Sequence, residues 1–211
     1  MKTAIAIFVK TPGLSPLKTR LAATLGRDKA EEFYRLILRS IENTLSELNL
    51  SAFWAVGEPE GLHDPLWNSF SKMHTGDGDL GDRQSHVYHE LLKTHDAVML
   101  IGGDAPQLSL EIINQAISHL ETQDFVIGPA DDGGYYLLGG RKKIDAKVWS
   151  ETPWSDEKTL NIFIEKLGVN PYILDVLTDV DTEEDLQMML GELPNTLNDN
   201  QKILKDWIMR L

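Results

Sequence analysis

The sequence predicts an α/β protein built on a mostly parallel central sheet with helices on both faces. Two observations predict this class. Short apolar runs alternate along the 211 residues with longer amphipathic stretches, as in successive βαβ units. Polar and turn-forming residues directly follow several of the apolar runs, and ligands of such sheets bind beyond the carboxyl ends of the strands. The loops that follow the strands are therefore where chemistry is expected.

Six segments are predicted to be strands because they are short and apolar or rich in β-forming residues. They are residues 3–9, 52–56, 97–101, 125–127, 135–138 and 172–174. Residues 4–9 are apolar in succession, which is typical of a strand buried on both faces. We expect the segment 135–138 to be an antiparallel strand at an edge of the sheet.

Six amphipathic stretches are predicted to be helices. They are residues 28–48, 81–93, 110–120, 156–167, 182–190 and 202–209. Short polar side chains at the start of a helix accept a hydrogen bond from a backbone amide of its first turn. The predicted N-caps of this kind are Asp28, Ser109, Ser155 and either Asp181 or Thr182.

The composition excludes several classes of protein. The chain has no cysteine, which excludes a disulfide framework, a thiolate metal site and a cysteine nucleophile. Its net charge of −13 argues against a partner that is nucleic acid or an anionic membrane. No apolar run approaches the length of a membrane-spanning helix, and no signal segment follows Met1. The expected location is the cytoplasm.

Positive charge is concentrated near the start of the chain. The first fifty residues hold eight Lys and Arg against five Asp and Glu, a net charge of +3. Lys10, Lys18 and Arg20 directly follow the first predicted strand, and their side chains suit phosphate oxygens. The loop is neither a P-loop nor a G-x-G-x-x-G fingerprint. It is a candidate phosphate-binding loop, and the alternative is a solvated basic loop.

Asp104 follows the predicted strand at 97–101 and two glycines that let the backbone approach a ligand. Mg²⁺ takes one or two carboxylates together with phosphate oxygens of the substrate, so Asp104 is a candidate metal ligand. The alternative is that Asp104 only caps the turn before Pro106. Asp179 or Asp181, after the last predicted strand, is a weaker candidate for a second metal contact.

Two adjacent carboxylates, Asp131 and Asp132, precede Gly133 and Gly134 in the loop after residues 125–127. Such carboxylates repel each other unless a cation or a hydrogen-bond donor lies nearby. Asp131 and Asp132 are therefore candidate catalytic residues. The alternative is a polar hairpin turn, because Asp-Gly is a strong turn signal.

Aromatic and cationic side chains complete the set of candidates. Tyr135 and Tyr136 point to opposite faces if the chain is extended there, so that one can stack on a ring or sugar while the other packs inward. Arg83 ends a loop rich in Gly and Asp, residues 76–83, that lacks the spacing of a calcium loop. Arg83 is a candidate ligand-facing cation, and the alternative is a flexible loop that opens a helix.

These loops, taken in order, resemble one family. The resemblance is carried by residues 8–12 with 17–21, and by 78–83, 101–106, 128–139, 154–155 and 179–182. Together they look like the bacterial glycosyltransferase-like proteins of the DUF2064 group, in the nucleotide-diphospho-sugar transferase (GT-A) superfamily, from the first strand to about Asp185. The segment Lys-Thr-Arg-Leu at 18–21 is also similar to phospholactate guanylyltransferases and, more distantly, to the molybdenum-cofactor nucleotidyltransferases.

The resemblance implies a single domain, residues 1–211, with a Rossmann-like GT-A fold that binds a nucleotide with Mg²⁺ or Mn²⁺. By analogy, the first loop holds the nucleotide and its phosphates, Asp104 is the metal aspartate, and the loop 131–136 faces the acceptor. The sequence departs from its relatives at Gln84, where they often carry Met. It also lacks a strict Asp-x-Asp pair at residues 102–104, which leaves the second metal ligand open.

The sequence thus favours a metal-dependent transferase with a nucleotide-activated donor, specifically a glycosyltransferase that acts on a nucleotide sugar and a small-molecule acceptor. Lys18 and Arg20 would neutralise the phosphates. Asp131 or Asp132 would orient or deprotonate an acceptor hydroxyl, or complete the metal site. Two alternatives stay open: a nucleotidylyltransferase that releases pyrophosphate from an NTP, and a nucleotide-binding homologue without turnover. A homodimer is also left open.

Overall fold

The computed structural model describes all 211 residues. Its strands are β1 (Thr3–Val9), β2 (Ser51–Val56), β3 (Ser71–His74), β4 (Ala97–Gly102), β5 (Phe125–Pro129), β6 (Tyr135–Gly140) and β7 (Tyr172–Ile173). They form one seven-stranded sheet in the order β3-β2-β1-β4-β6-β5-β7. β6 is antiparallel to both of its neighbours, and every other neighbouring pair is parallel. The mostly parallel sheet predicted from the sequence is confirmed.

Eight α-helices connect or flank the strands. They are α1 (Thr19–Leu25), α2 (Arg27–Ser46), α3 (Leu80–Leu92), α4 (Leu110–Leu120), α5 (Ala146–Ser150), α6 (Thr159–Leu167), α7 (Glu183–Glu192) and α8 (Asp199–Ile208). Two short 3₁₀ helices, Glu60–His63 and Pro65–Trp67, lie between β2 and β3. None of the helices is both long and apolar enough to cross a membrane.

The two faces of the sheet bury two hydrophobic clusters. Side chains alternate between the faces of a strand, so Ile5 and Ile7 of β1 join a cluster of 32 buried residues while Ala4 and Ala6 join one of 15. Helices α1, α2, α4, α7 and α8 supply the larger cluster, and α3, α5 and α6 supply the smaller. The prediction of helices on both faces is therefore confirmed.

The strand prediction was wrong at two places. β6 is antiparallel as expected, but it lies inside the sheet between β4 and β5 and not at an edge. Its leucines, Leu137 and Leu138, are fully buried on opposite faces, as expected of an interior strand. β3 was missed because its sequence, Ser-Lys-Met-His, is polar. It is an edge strand that pairs with β2 alone.

Two of the predicted N-caps are wrong. Helix α2 begins at Arg27 after Gly26, whose φ of 87° separates it from the unpredicted helix α1, so Asp28 lies in the first turn. Helix α6 begins only at Thr159, and Ser155 has a φ of 61°. Residues 153–158 instead form a turn that packs on Gly133.

The other two predicted N-caps are confirmed. Ser109 accepts a hydrogen bond from the backbone of Ile112 at the start of α4. Thr182 forms a reciprocal capping box with Asp185 at the start of α7. This cap fixes the end of the segment that carries Asp179 and Asp181.

Candidate functional site

A cleft opens at the carboxyl ends of β1 and β4, where the sheet topology predicts ligand binding. It consists of a larger cavity of about 540 Å³ and an adjoining one of about 360 Å³. Six residues line both cavities: Leu80, Gln84, Gly102, Asp104, Tyr135 and Tyr136. A separate cavity of about 560 Å³ lies between the loop 13–17 and helices α1 and α2, and it contains none of the strand-end carboxylates.

Lys18 supplies a buried positive charge to the larger cavity. Its side chain is 5% exposed, and its Nζ lies 3.0 Å from Asp104 Oδ1 and donates to the carbonyl of Val180 at 2.7 Å. Burial alone would lower the pKa of Lys18, but Asp104 and Asp179 outweigh burial, and the pKa is raised. The ammonium therefore stays charged at neutral pH. The φ of 40° at Lys18 is uncommon for a residue with a Cβ and aims this side chain inward at the start of α1.

Asp104 forms the wall that the two cavities share. Its side chain is 49% exposed, so that one oxygen pairs with Lys18 while the carboxylate still faces the cleft. Gly103 places it there: the Gly103 N–H donates to the carbonyl of Phe8 at 3.1 Å. A Cβ at Gly103 would lie 2.9 Å from the same carbonyl oxygen. Only glycine lets the end of β4 approach the end of β1 this closely.

Asp179 faces the cleft from the segment between β7 and α7. Its pKa is raised to about 6, first because burial disfavours the carboxylate and then because Asp104, Asp181 and Asp132 repel it, although Lys18 acts in the opposite direction. Lys18 therefore offsets only part of the effect that burial and the neighbouring carboxylates have on the pKa of Asp179. Such a site favours a further cation.

Replacing Asp179 with asparagine is expected to stabilise the metal-free protein at pH 8 and to change little at pH 4. The native pKa of about 6 lies above the ordinary value of 3.8, so the native state retains a proton that the unfolded state has released. The resulting loss of stability grows from pH 4 to pH 6 and is complete above pH 6. Melting temperatures measured in EDTA at both pH values test this, and a lower melting temperature at pH 8 would contradict it.

A buried network that the sequence analysis missed holds the segment with Asp179 in place. Glu192, the last residue of α7, accepts from the Thr178 hydroxyl at 2.6 Å and from its backbone N–H at 2.9 Å. Gln107, close after Asp104 in the chain, donates to the carbonyl of Thr178 at 2.9 Å and to Glu192 at 3.0 Å. The network thus connects the loops of Asp104 and Asp179. No local motif marks Gln107 or Glu192, because the two are far apart in the sequence.

The adjacent carboxylates of Asp131 and Asp132 accept hydrogen bonds from different loops. Asp131 Oδ1 accepts from the backbone N–H of Asp179 at 2.9 Å, so Asp131 joins two loops. Asp132 Oδ1 accepts from the backbone N–H of Gly134 at 2.8 Å, which tightens the turn. Of the two, only Asp132 lines the smaller cavity. The assignment of either as catalytic stays a prediction.

Replacing Gly133 with alanine is expected to lower the free energy of unfolding by about 2–4 kcal/mol, since backbone strain and steric overlap both cost energy. Gly133 has a φ of 90°, and a Cβ there would collide with the backbone carbonyl of Glu157. Chemical denaturation measures the loss. Gly191→Ala on α7 is the control, because a Cβ at Gly191 would meet nothing within 4 Å and its φ is not positive. Equal stability of the two variants would contradict the packing described here.

Tyr135 and Tyr136 point to opposite faces, as predicted for an extended chain. Tyr136 joins the larger core and donates to the carbonyl of Asp175 at 3.1 Å. Tyr135 packs on the smaller core and donates to Gln84 Oε1 at 2.6 Å. Both rings line both cavities, so each contributes wall as well as packing.

The remaining predicted cations divide into two groups. Lys10 and Arg83 line the larger cavity; the Lys10 backbone is fixed by two 3.0 Å hydrogen bonds with the Tyr34 hydroxyl. Arg83 donates to the carbonyls of Gly78 and Gly57 at 3.1 and 3.4 Å. Arg20 is 73% exposed, pairs with Asp181 at 2.7 Å and lines neither cavity. The structure therefore does not bring Arg20 into the cleft.

No group of three or more His, Asp or Glu side chains is arranged to hold a metal ion. Among the carboxylates that line the cleft, Asp104 and Asp179 are both half-buried and lie on adjacent loops. Such a pair fits a hard cation that takes most of its ligands from water and from a bound phosphate. The second metal ligand that the sequence left open thus has a candidate in Asp179.

The chain is similar in structure to several solved proteins. A candidate nucleotide-diphospho-sugar transferase from Desulfovibrio desulfuricans is 28% identical, with a TM-score of 0.87 over 100% of this chain and 98% of that one. CMP:2-keto-3-deoxy-manno-octonic acid synthetase, complexed with CTP, is 13% identical, with a TM-score of 0.59 over 92% and 100%. A Mycobacterium tuberculosis protein in complex with manganese is 14% identical, with a TM-score of 0.53 over 90% and 99%.

The last two similarities show the fold alone. It is the Rossmann-like α/β fold that the chain shares with the Desulfovibrio desulfuricans protein. No curated protein matches the chain. The family model described as "Uncharacterized protein conserved in bacteria (DUF2064)" matches residues 48–156, which is more than half of the sequence. The chain belongs to the DUF2064 family.

Proposed function

We propose that this protein is a transferase that uses a nucleotide-activated donor, and specifically that it transfers a sugar from a nucleotide sugar to a small acceptor. The observation that carries the proposal is the position of Asp104. It forms the shared wall of two adjoining cavities, with the buried ammonium of Lys18 3.0 Å away. The nucleoside would occupy the larger cavity, the diphosphate would lie beside Lys18 and Asp104, and the sugar would enter the smaller cavity.

Two comparisons support the proposal at the level of a transferase. The Desulfovibrio desulfuricans relative, similar over the whole chain, is a candidate nucleotide-diphospho-sugar transferase. The synthetase with the same fold is complexed with CTP, which is consistent with a nucleotide in the corresponding cleft. Fold similarity does not by itself fix a reaction, so the choice of sugar transfer depends on the two-cavity cleft.

Asp104 and Asp179 would hold a divalent cation, Mg²⁺ or Mn²⁺. When bound, such an ion neutralises charge on the leaving diphosphate. The fit depends on the donor set: both ligands are carboxylates, and burial together with the neighbouring carboxylates raises the pKa of Asp179, so a bound cation would favour its ionised form. Manganese is present in a structure of the same fold. The hydrogen bonds among Gln107, Thr178 and Glu192 would keep the loops of Asp104 and Asp179 at a fixed separation.

The residues of this chain have distinct proposed roles. Lys18 binds phosphate oxygens through its ammonium, in a buried site where electrostatic attraction is strong. Lys10 and Arg83 bind the nucleotide at the wall of the larger cavity. Asp132, which lines the smaller cavity, orients an acceptor hydroxyl or accepts its proton. Asp131 supports the loop through its hydrogen bond to Asp179.

Product analysis distinguishes sugar transfer from nucleotidyl transfer. The protein is incubated with UDP-glucose, GDP-glucose, CDP-glucose and ADP-glucose, and separately with the four NTPs and sugar phosphates, each with Mg²⁺ or Mn²⁺. Sugar transfer, or the slow donor hydrolysis that accompanies it, releases a nucleoside diphosphate; nucleotidyl transfer releases pyrophosphate. Phosphorus NMR separates the two products. Pyrophosphate from an NTP, without nucleoside diphosphate from any sugar nucleotide, would overturn the proposal in favour of a nucleotidylyltransferase.

A further inference from the structure

Gln84 occupies the boundary between the two cavities. It lies near the start of α3, the residue is 7% exposed, and it lines both cavities. Its amide oxygen accepts the Tyr135 hydroxyl at 2.6 Å. Gln84 and Tyr135 are uncharged at neutral pH, whereas Lys18, Asp104 and Asp179 in the same cleft are charged groups.

The Tyr135 hydroxyl determines which way the Gln84 amide points. Burial raises the pKa of Tyr135, so the phenol keeps its proton and must donate it. Gln84 Oε1 is the only acceptor that the protein offers to this hydroxyl. If the amide were reversed, its nitrogen would face the phenol and the hydroxyl proton would lose its acceptor in the protein, which is costly. The amide oxygen is therefore committed to Tyr135.

The Gln84 amide nitrogen is left free to bind a ligand. It donates to no protein group, yet it is absent from the enclosed polar atoms without a partner, which are Thr3 Oγ1, Ser40 Oγ, Gln107 Oε1 and Trp149 Nε1. Solvent therefore reaches this nitrogen, and the open space beside Gln84 is the cleft whose two cavities it lines. A fixed N–H donor at a cavity wall is suited to an oxygen of a bound molecule.

We propose that Gln84, held by Tyr135, is a specificity-determining residue that donates a hydrogen bond to a hydroxyl oxygen of the transferred sugar. The inference rests on the proposed function, because it places the sugar next to the diphosphate. The amide is uncharged, whereas Lys18, Lys10 and Arg83 are available for phosphates. The Gln84 amide therefore suits an uncharged oxygen close to the Lys18–Asp104 pair. In a nucleotide sugar, the uncharged oxygens next to the diphosphate are the hydroxyls of the sugar.

The test compares sugar nucleotides with their parent nucleotides. Gln84→Met keeps the length of the side chain and removes both the amide donor and the oxygen that accepts the Tyr135 hydroxyl. Dissociation constants are measured by calorimetry with Mg²⁺ for UDP, GDP, CDP and ADP and for their glucose conjugates. We expect Gln84→Met to weaken binding of the glucose conjugate that wild type recognises by about tenfold, which is the effect of losing one hydrogen bond. Binding of its parent nucleotide should be unchanged.

Two further measurements separate recognition from structural damage. Tyr135→Phe retains the ring that packs on Trp154 and Phe163 but releases the amide, so a smaller loss in the same direction is expected. Binding is also measured for conjugates of the same nucleotide in which single hydroxyls are removed from the glucose. The loss of one of these hydroxyls should weaken binding to wild type but not to Gln84→Met. Gln187→Met, on the exposed surface of α7, is the matched control and should bind as wild type does.

The possible outcomes distinguish this inference from the proposed function. Equal weakening of nucleotide and sugar nucleotide by Gln84→Met would overturn the role in sugar recognition, and so would no weakening of either. If wild type binds none of the eight compounds, the proposed function itself fails and the inference fails with it. If wild type binds nucleotides and conjugates equally well, and Gln84→Met does the same, the inference alone is wrong.

Discussion

Replacing Asp104 with asparagine is expected to reduce the transferase rate at least a hundredfold, the usual scale for losing one group that stabilises charge in a transition state. Asparagine keeps the shape of the side chain and removes the charge. Asp104 is the one carboxylate that borders both cavities and also pairs with Lys18, so its loss affects both the proposed cation and the phosphate contact. Raising the Mn²⁺ concentration should restore part of the rate.

The matched control is Asp124→Asn. The Asp124 side chain is 50% exposed, close to the 49% of Asp104, and its only ion pair is a 3.9 Å contact with Arg141. It precedes β5 and so lies at the opposite end of the sheet from the cleft. Activity and melting temperature should stay at the wild-type level. If Asp104→Asn retained wild-type activity and an unchanged requirement for Mg²⁺, the metal assignment would be wrong.

Replacing Lys18 with methionine is expected to weaken nucleotide diphosphate binding by about ten- to a hundredfold. A hydrogen bond to a charged group contributes roughly 1.5–3 kcal/mol, and about 1.4 kcal/mol corresponds to a factor of ten in affinity. Methionine is similar in length to lysine and is apolar, so it suits a side-chain position that is only 5% exposed. Titration calorimetry with nucleoside diphosphates measures the loss, and the corresponding nucleosides should bind with unchanged affinity.

A second readout shows whether Lys18 acts through its charge. Lys18 lowers the pKa of Asp179 against the effect of burial and of three other carboxylates. In Lys18→Met the pKa of Asp179 should therefore rise above about 6, which an NMR titration of the carboxyl carbon would detect. Lys205→Met, on the exposed face of α8, should change neither measurement. An unchanged Asp179 pKa in Lys18→Met would contradict the electrostatic interaction between Lys18 and Asp179.

The sequence predicted the fold class because hydrophobic periodicity reports directly on burial. β1 is apolar on successive residues and is buried on both faces of the sheet. The failures occurred where local sequence is a weak signal. β3 is polar because it is an edge strand, and helix α1 is seven residues long, bounded by Lys18 and Gly26 with positive φ. The place of β6 inside the sheet is a long-range property, set by pairing with β4 and β5.

The site was predictable where its residues follow strands. Lys18 and Asp104 were identified separately, because each lies soon after a buried strand, and the structure brings them to 3.0 Å. Arg20 was expected in the same place, but it is two residues further along helix α1 and points to solvent. Glu192 and Gln107 could not be found, because their partners are 14 or more residues away in the sequence. Tertiary hydrogen bonds of this kind leave no local pattern.

Crystals grown with Mn²⁺ and a nucleoside diphosphate offer the most direct test of the central claim, that Asp104 lies at the junction of a nucleotide cavity and a transfer cavity. An anomalous difference map at the manganese edge locates the ion independently of the protein atoms. We expect one peak coordinated by Asp104, Asp179 and the diphosphate, with the nucleoside in the larger cavity beside Lys10 and Arg83. A nucleotide bound instead between the loop 13–17 and helices α1 and α2, or a manganese peak away from Asp104, would contradict the account.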